Sequence, residues 1–163
     1  MSRLVVAISR EFGSGGRLLG ERLAQELGLR FYDRALLTLA ARESGFAPEA
    51  FEEAEAEAAN KFLFNLSTGG GAIRDGLFWV APPVGEQIFI AQSKTIERLA
   101  EEGGCVLVGR CAAHLLRRDP HCLKVFVHGE KEDRLRRIVS QYGVPEAGAG
   151  DLLKRMDRGR ANY

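Results

Sequence analysis

The sequence predicts an α/β fold with a parallel sheet, on three observations. Short continuous apolar runs, of the kind that strands buried on both faces require, alternate with stretches of helical periodicity. The first of these runs ends in a glycine-rich turn, Gly13-Ser14-Gly15-Gly16, and a later one ends in Gly109-Arg110. Parallel strands joined through helices put both turns at the carboxyl edge of the sheet, where ligands of such folds bind.

Taken in order, residues 4–8 are the first strand. Residues 17–28 are a helix with Leu19, Leu23 and Leu27 as its apolar stripe and Gly28 as its stop. Residues 29–32 read as a very short strand, and Asp33 as the N-cap of a helix over 34–42 that Gly45 ends. Pro48 opens an acidic helix over 49–59 with little apolar surface to bury, which places it at the periphery. From Phe62 to Pro83 no period holds, and the segment reads as a mobile flap or as a hairpin with Gly69-Gly70-Gly71 at its tip.

Periodicity returns over 84–102, with Val84, Ile88, Ala91, Thr95 and Leu99 on one face and Gly103-Gly104 as the stop. A strand over 105–108 leads into Gly109-Arg110 and a helix over 111–118, which Asp119-Pro120 ends. Another strand covers 123–127. A charged helix covers 130–142, its core contacts expected from Leu135, Ile138 and Val139. A basic helix begins at Asp151 and runs toward Tyr163.

A chain of 163 residues with 45% hydrophobic and 28% charged residues is one soluble domain of ordinary size. It holds no membrane-length apolar run and no leader pattern, so a cytoplasmic protein is expected. The net charge of +1 supplies no field for nucleic acid or an anionic membrane, and neither is an expected partner. Arg134, Arg136, Arg137, Lys154, Arg155, Arg158 and Arg160 crowd the last third and read mostly as solvated helix faces. Cys105, Cys111 and Cys122 form no C-x-x-C pair and read as buried, reduced thiols. His114, His121 and His128 fall on different elements and predict no shared metal.

Glycines between a strand and a helix let backbone N–H groups converge on one point at the positive end of the helix, which suits a phosphate. A Walker A loop reads G-x-x-x-x-G-K-[ST]. Laid on that pattern, Gly16 stands where the lysine belongs and Arg17 where the hydroxyl belongs. Taken alone, the turn is either a phosphate cradle or a plain connection.

Taken together, I-S-R-E-F-G-S-G-G-R at 8–17, F-Y-D-R-A-L-L at 31–37, V-G-R-C-A at 108–112 and D-R-G-R-A-N-Y at 157–163 resemble the cytidylate kinase-like family, P-loop nucleoside monophosphate kinases related to bacterial CMP kinase. The resemblance implies a three-layer P-loop kinase fold with a five-stranded parallel sheet, whose last strand and helix would follow Tyr163. It divides a single domain, 1–163, into a core at about 1–32 and 103–145, an acceptor-binding insertion at about 33–102 and an arginine-rich lid at about 146–163.

It also implies ATP with Mg²⁺ as phosphoryl donor and a nucleoside monophosphate, CMP or dCMP, as acceptor. Gly13, Ser14, Gly15, Gly16 and Arg17 would hold the donor phosphates, and Arg17 would supply the cation missing at Gly16. Arg110, in the position of the G-R-D arginine, would bind the acceptor phosphate together with Asp33. Arg155, Arg158 and Arg160 would act from the lid. The chain departs from the family pattern at Cys111 in place of the G-R-D aspartate, at Gly85 in place of an acceptor arginine, and in having no Walker B carboxylate after residue 108. Those departures keep two alternatives open: a nucleotide-binding regulatory module without turnover, and a kinase of the same fold acting on another small molecule.

Overall fold

Each apolar run becomes a strand of one parallel sheet in the computed structural model, which describes residues 3–33, 35–45 and 84–161. The elements are β1 (Val5–Arg10), α1 (Gly16–Leu27), β2 (Arg30–Tyr32), α2 (Ala35–Ser44), α3 (Val84–Glu102), β3 (Cys105–Val108), α4 (Ala112–Leu115), β4 (Cys122–Val127), α5 (Lys131–Tyr142) and α6 (Glu146–Ala161). The acidic helix expected at 49–59 and the flap expected at 62–83 lie outside the described residues.

Strand order is β2-β3-β1-β4, with every pairing parallel. Val5 lies opposite both Cys105 and Cys122, and Arg30 opposite Cys105. β1 is therefore central, and its carboxyl end emerges between those of β3 and β4. The fold is the α/β architecture of a P-loop kinase, with four strands among the described residues.

The chain divides into two compact units, Met1–Ala35 with Ile96–Tyr163, and Leu36–Thr95. In the second unit Ala40, Ala41 and Ile88 bury one another, with Ala91 packed alongside. In the first, Val6, Ile8, Val106 and Val108 form one face of the sheet and pack on Ala24 of α1.

That packing corrects the stripe expected for α1. Leu19 and Leu27 are about half exposed, Leu23 alone of the stripe packs against the core, and the buried row is Gly16, Gly20 and Ala24. Close approach is the reason: a Cβ on Gly20 would stand 2.9 Å from Val108 Cγ2, so the helix presents its smallest side chains to the sheet. Two i, i+4 rows share this helix, and the small one faces inward.

Two further expectations shift. The helix expected over 111–118 spans only Ala112–Leu115; left-handed backbone at Arg110 and Cys111, φ 56° and 57°, delays its start, and it closes at Leu116 into a turn. The basic helix expected from residue 151 begins at Glu146 and is continuous to Ala161. Its Ala149 and Leu153 pack against Ile138 of α5, with Leu135 and Val139 alongside. β4 pairs on one side only among the described residues and leaves Leu123 and Phe126 exposed.

Candidate functional site

Three backbone junctions meet at the carboxyl edge of the sheet. Glu11 N–H donates to the Val127 carbonyl at 3.0 Å, and Gly109 N–H to the Ile8 carbonyl at 2.9 Å. Residues 11–16, 109–111 and 128–130 are thereby held side by side.

The turn after β1 needs its glycines for two different reasons. Gly13 and Gly15 have φ 75° and 84°, a conformation that costs other residues about 1 kcal/mol or more. Gly16 is required by space, since a Cβ there would fall 2.6 Å from Arg10 Cβ. A lysine cannot replace Gly16 without moving Arg10.

Arg10 carries no mark of its role in the sequence pattern. Its side chain, 20% exposed, runs across the sheet edge to the backbone of Gly109, where a Cβ would lie 1.9 Å from Arg10 Nη1. Arg10 Nη2 is 3.6 Å from Asp33 Oδ1, and Asp33 Oδ2 is 3.0 Å from Arg17 Nε. Asp33, expected as a helix N-cap, thus faces two arginines of the loop. From the far end of the chain, Arg160 Nη1 donates to the Arg10 carbonyl at 3.4 Å, and its guanidinium carbon lies 5.3 Å from the centre of the Phe12 ring.

Burial lowers the pKa of Arg10, against the pull of Asp33. Burial first, and the charge of Arg10 second, lower that of Arg160 to about 10. Cationic side chains are therefore held where water solvates them poorly, as they are where an anion is to be received.

Beneath the loop lies an ion network. Arg134, whose side chain is 6% exposed, places Nη1 at 2.6 Å from Glu11 Oε2, pairs through Nη2 with Asp157 Oδ2, and donates from Nε to the Phe12 carbonyl at 2.9 Å. The other Asp157 oxygen, Oδ1, accepts from Phe12 N–H at 2.8 Å, and Glu11 Oε2 from Gly129 N–H at 3.2 Å. Arg137 Nη1 donates to the Gly13 carbonyl at 2.6 Å. Helices α5 and α6 together hold the glycine turn from below.

A family model for the cytidylate kinase-like family matches residues 5–163. The chain belongs to that family. Among solved structures it is similar to an uncharacterized protein from Eubacterium ventriosum ATCC 27560, at 27% identity and a TM-score of 0.66, over 96% of this chain and 73% of the other. No curated protein matches the sequence significantly. Family membership points to nucleotide kinase-like chemistry, and the solved relative shares the architecture.

As a cytidylate kinase-like chain, this one brings only part of its predicted site together. Gly13, Ser14, Gly15, Gly16, Arg17, Asp33 and Arg160 converge on the glycine turn. Ser14 turns its hydroxyl back to the Glu11 carbonyl at 2.9 Å. Arg110 sits at the tip of β3, directly after the glycine that Arg10 covers, in strained left-handed backbone shared with Cys111. Such strain in a bulky residue concentrates at functional sites. Arg155 and Arg158 are exposed on α6.

Arg10, Arg134 and Asp157 are the residues whose positions the sequence left undisclosed. Asp157 stands in a lid motif by pattern, whereas in the structure it caps the loop.

Proposed function

We propose that this chain is a nucleoside monophosphate kinase-like phosphotransferase that moves the γ-phosphoryl group of ATP to a nucleoside monophosphate, CMP or dCMP by family resemblance. The observation that carries this reading is the convergence of Arg10, Arg17 and Arg160 on a strand–glycine turn–helix junction at the carboxyl edge of a parallel sheet. Amides opening a helix have no partner within it, and those of Gly15 to Arg17 would receive the donor phosphates. Arg17 and Arg160 would add positive charge there. Arg110 would bind the acceptor phosphate through its guanidinium fork, which can make two parallel bonds to phosphate oxygens. Arg155 and Arg158, on the outer face of α6, would act only if that helix brought them inward.

Protein-held Mg²⁺ does not fit the residues described. Glu11 and Asp157 are engaged by Arg134, and Asp33 by Arg17 and Arg10. Among the described residues no group of three or more acidic, histidine or cysteine side chains could hold an ion. The ion would arrive with ATP, carried by phosphate oxygens and water. What the chain itself supplies is positioning and positive charge.

Among the described residues no helix is long and apolar enough to cross a membrane. No disulfide joins Cys105, Cys111 and Cys122, which suits a reducing compartment, and we assign the protein to the cytoplasm with small nucleotides as its partners.

A coupled assay with ATP, Mg²⁺ and a panel of nucleoside monophosphates tests this. ADP release with one or more acceptors is expected, and Arg110→Ala should raise acceptor KM by about tenfold or more while ATP binding stays within about threefold. A collapse of ATP affinity in that variant would remove Arg110 from the acceptor side. The packing of Gly16 against Arg10, which excludes a lysine, favours a second reading, a nucleotide-binding regulatory module. Tight ATP binding without ADP release for any acceptor would establish it.

A further inference from the structure

Arg10 connects two features of the site that carry unusual backbone or packing. Its Cβ fills the space that keeps residue 16 a glycine, and its guanidinium lies against Gly109, whose φ of 80° favours glycine on its own. Between those points the side chain runs from Gly16, the residue that stands in the lysine's place, to the turn after β3, and carries a cation from one to the other. Its neighbours are built in less firmly: Arg17 is 62% exposed, and Arg160 reaches the site from the end of the chain.

The charges around Arg10 do not balance locally. Among the described residues Arg10 and Arg17 share one carboxylate, Asp33, whose side chain is 12% exposed, whereas Arg160 is drawn chiefly to Asp157, whose oxygens also meet Arg134 and Phe12 N–H. Asp33 itself is divided. One oxygen bonds Arg17 closely, and the other stands 3.6 Å from Arg10, outside hydrogen-bond length. A half-buried guanidinium with a loose counter-ion is stabilised by any anion that can approach more closely. A polyphosphate carries several such oxygens, and a carboxylate has only two.

We propose that Arg10 replaces the missing P-loop lysine and that Asp33 is its internal counter-ion, an anion of the protein that occupies Arg10 and Arg17 until a phosphate chain displaces it. This deepens the phosphotransferase reading and rests on it for the identity of the ligand as a donor nucleotide. The binding step is an exchange of anions. Asp33 lowers affinity for phosphate, and in return keeps the arginines paired and aimed when no nucleotide is bound. The lowered pKa of Arg10 fits a cation whose solvation is incomplete before the exchange.

Calorimetry with inorganic tripolyphosphate, which needs neither nucleoside pocket nor turnover, tests the exchange on the whole chain. Asp33→Asn should bind tripolyphosphate about three- to tenfold tighter than the native protein, since a competing charge is gone. Arg10→Gln should bind it about tenfold or more weakly, Arg10→Lys should recover part of that loss, and Arg17→Ala should weaken binding only about two- to threefold. In the double variant Arg10→Gln/Asp33→Asn, the gain from Asp33→Asn should fall to less than about half, because the two residues act as a pair.

Weaker or unchanged binding in Asp33→Asn overturns the exchange, and so does native-like binding in Arg10→Gln or no binding by the native protein. If Arg10→Gln does not fold, the Asp33→Asn and Arg10→Lys measurements decide alone. A rise in acceptor KM for Asp33→Asn with tripolyphosphate affinity unchanged would place Asp33 on the acceptor instead. The expected binding pattern without turnover for any acceptor would keep the exchange and reject the kinase reading. Turnover with Arg10→Gln at native kcat/KM would do the reverse.

Discussion

Arg134 shows how one side chain can decide whether a loop exists. Read along the sequence it belongs to the cluster Arg134, Arg136, Arg137 on a strongly charged helix, and a solvated face is its ordinary explanation. In the structure the three diverge. Arg136 stays exposed and pairs with Asp133 within its own helix, Arg137 reaches the Gly13 carbonyl, and Arg134 is buried between Glu11 and Asp157. Removing one member of a buried ion group leaves the others uncompensated. Arg134→Ala is therefore expected to lower unfolding free energy by about 3–5 kcal/mol, whereas Arg136→Ala should change it by no more than about 0.5 kcal/mol. Urea unfolding of both variants measures the difference, and equal effects would mean that Arg134 contributes no more than a surface charge. Nothing in the local sequence separates these neighbours, because their partners lie far away, at residues 11, 13 and 157. The same distance hid Arg10, whose side chain ends against a glycine that follows a different strand.

At the scale of elements, α1 is defined by how closely it can lie on the sheet. Gly20→Val would push a branched side chain into Val108 and Ile8, and should cost about 1–3 kcal/mol by overpacking. Gly148, also helical, has open space around the position that an alanine methyl would take, so Gly148→Ala should stabilise by about 0.5–1 kcal/mol through helix propensity alone. Thermal unfolding of the two variants should therefore move in opposite directions. Loss of stability in both would mean that Gly148 also has a packing role.

The strands and their order of appearance were legible because a strand buried on both faces must be apolar throughout, as at residues 5–8 and 105–108. The direction in which α1 faces was not. Leucines at i, i+4 and i+8 announce an apolar row, but glycines at 16 and 20 announce a close contact, and only the geometry of the sheet decides between them. The glycine turn was legible as a candidate phosphate site from its spacing. Its supporting ion network was not, since charge on a helix carries no mark of the partner it will meet. The late start of α4 was not legible either, because neither Arg110 nor Cys111 is a residue type that favours the left-handed backbone both adopt.

Across the whole molecule, ionisation of the thiols couples folding to alkaline pH. Burial raises Cys105 and Cys111 from an ordinary 9.0 to about 11, and raises Cys122 as well. Above pH 9 the unfolded chain gives up thiol protons that the native protein retains, so stability falls as pH rises toward 11 and is fully present below 9. Arg160 acts in the opposite sense, because its native pKa of about 10 lies below the ordinary arginine value, but that gain begins only above pH 10. The interval from pH 9 to 10 lies below the onset of the Arg160 gain, and the thiol loss is already under way in it. The expected result is a fall in Tm across that interval, largely abolished in Cys105→Ala/Cys111→Ala/Cys122→Ala, and a Tm that does not change there would show that the thiols ionise equally in both states.

The contact between Phe12 and Asp157 spans 145 positions of sequence, and that between Arg10 and Arg160 spans 150. Contacts of such separation form late, because the intervening loop must close first. A ribosome adding about 5–20 residues each second delivers Asp157 many seconds after Gly13 has emerged. β1 pairs with β3 and β4, so the sheet can assemble only once residue 127 has been made, and from then until Asp157 follows, the glycine turn lacks its cap. The sheet would thus be in place before the turn is capped, and the cap would arrive with synthesis of α6.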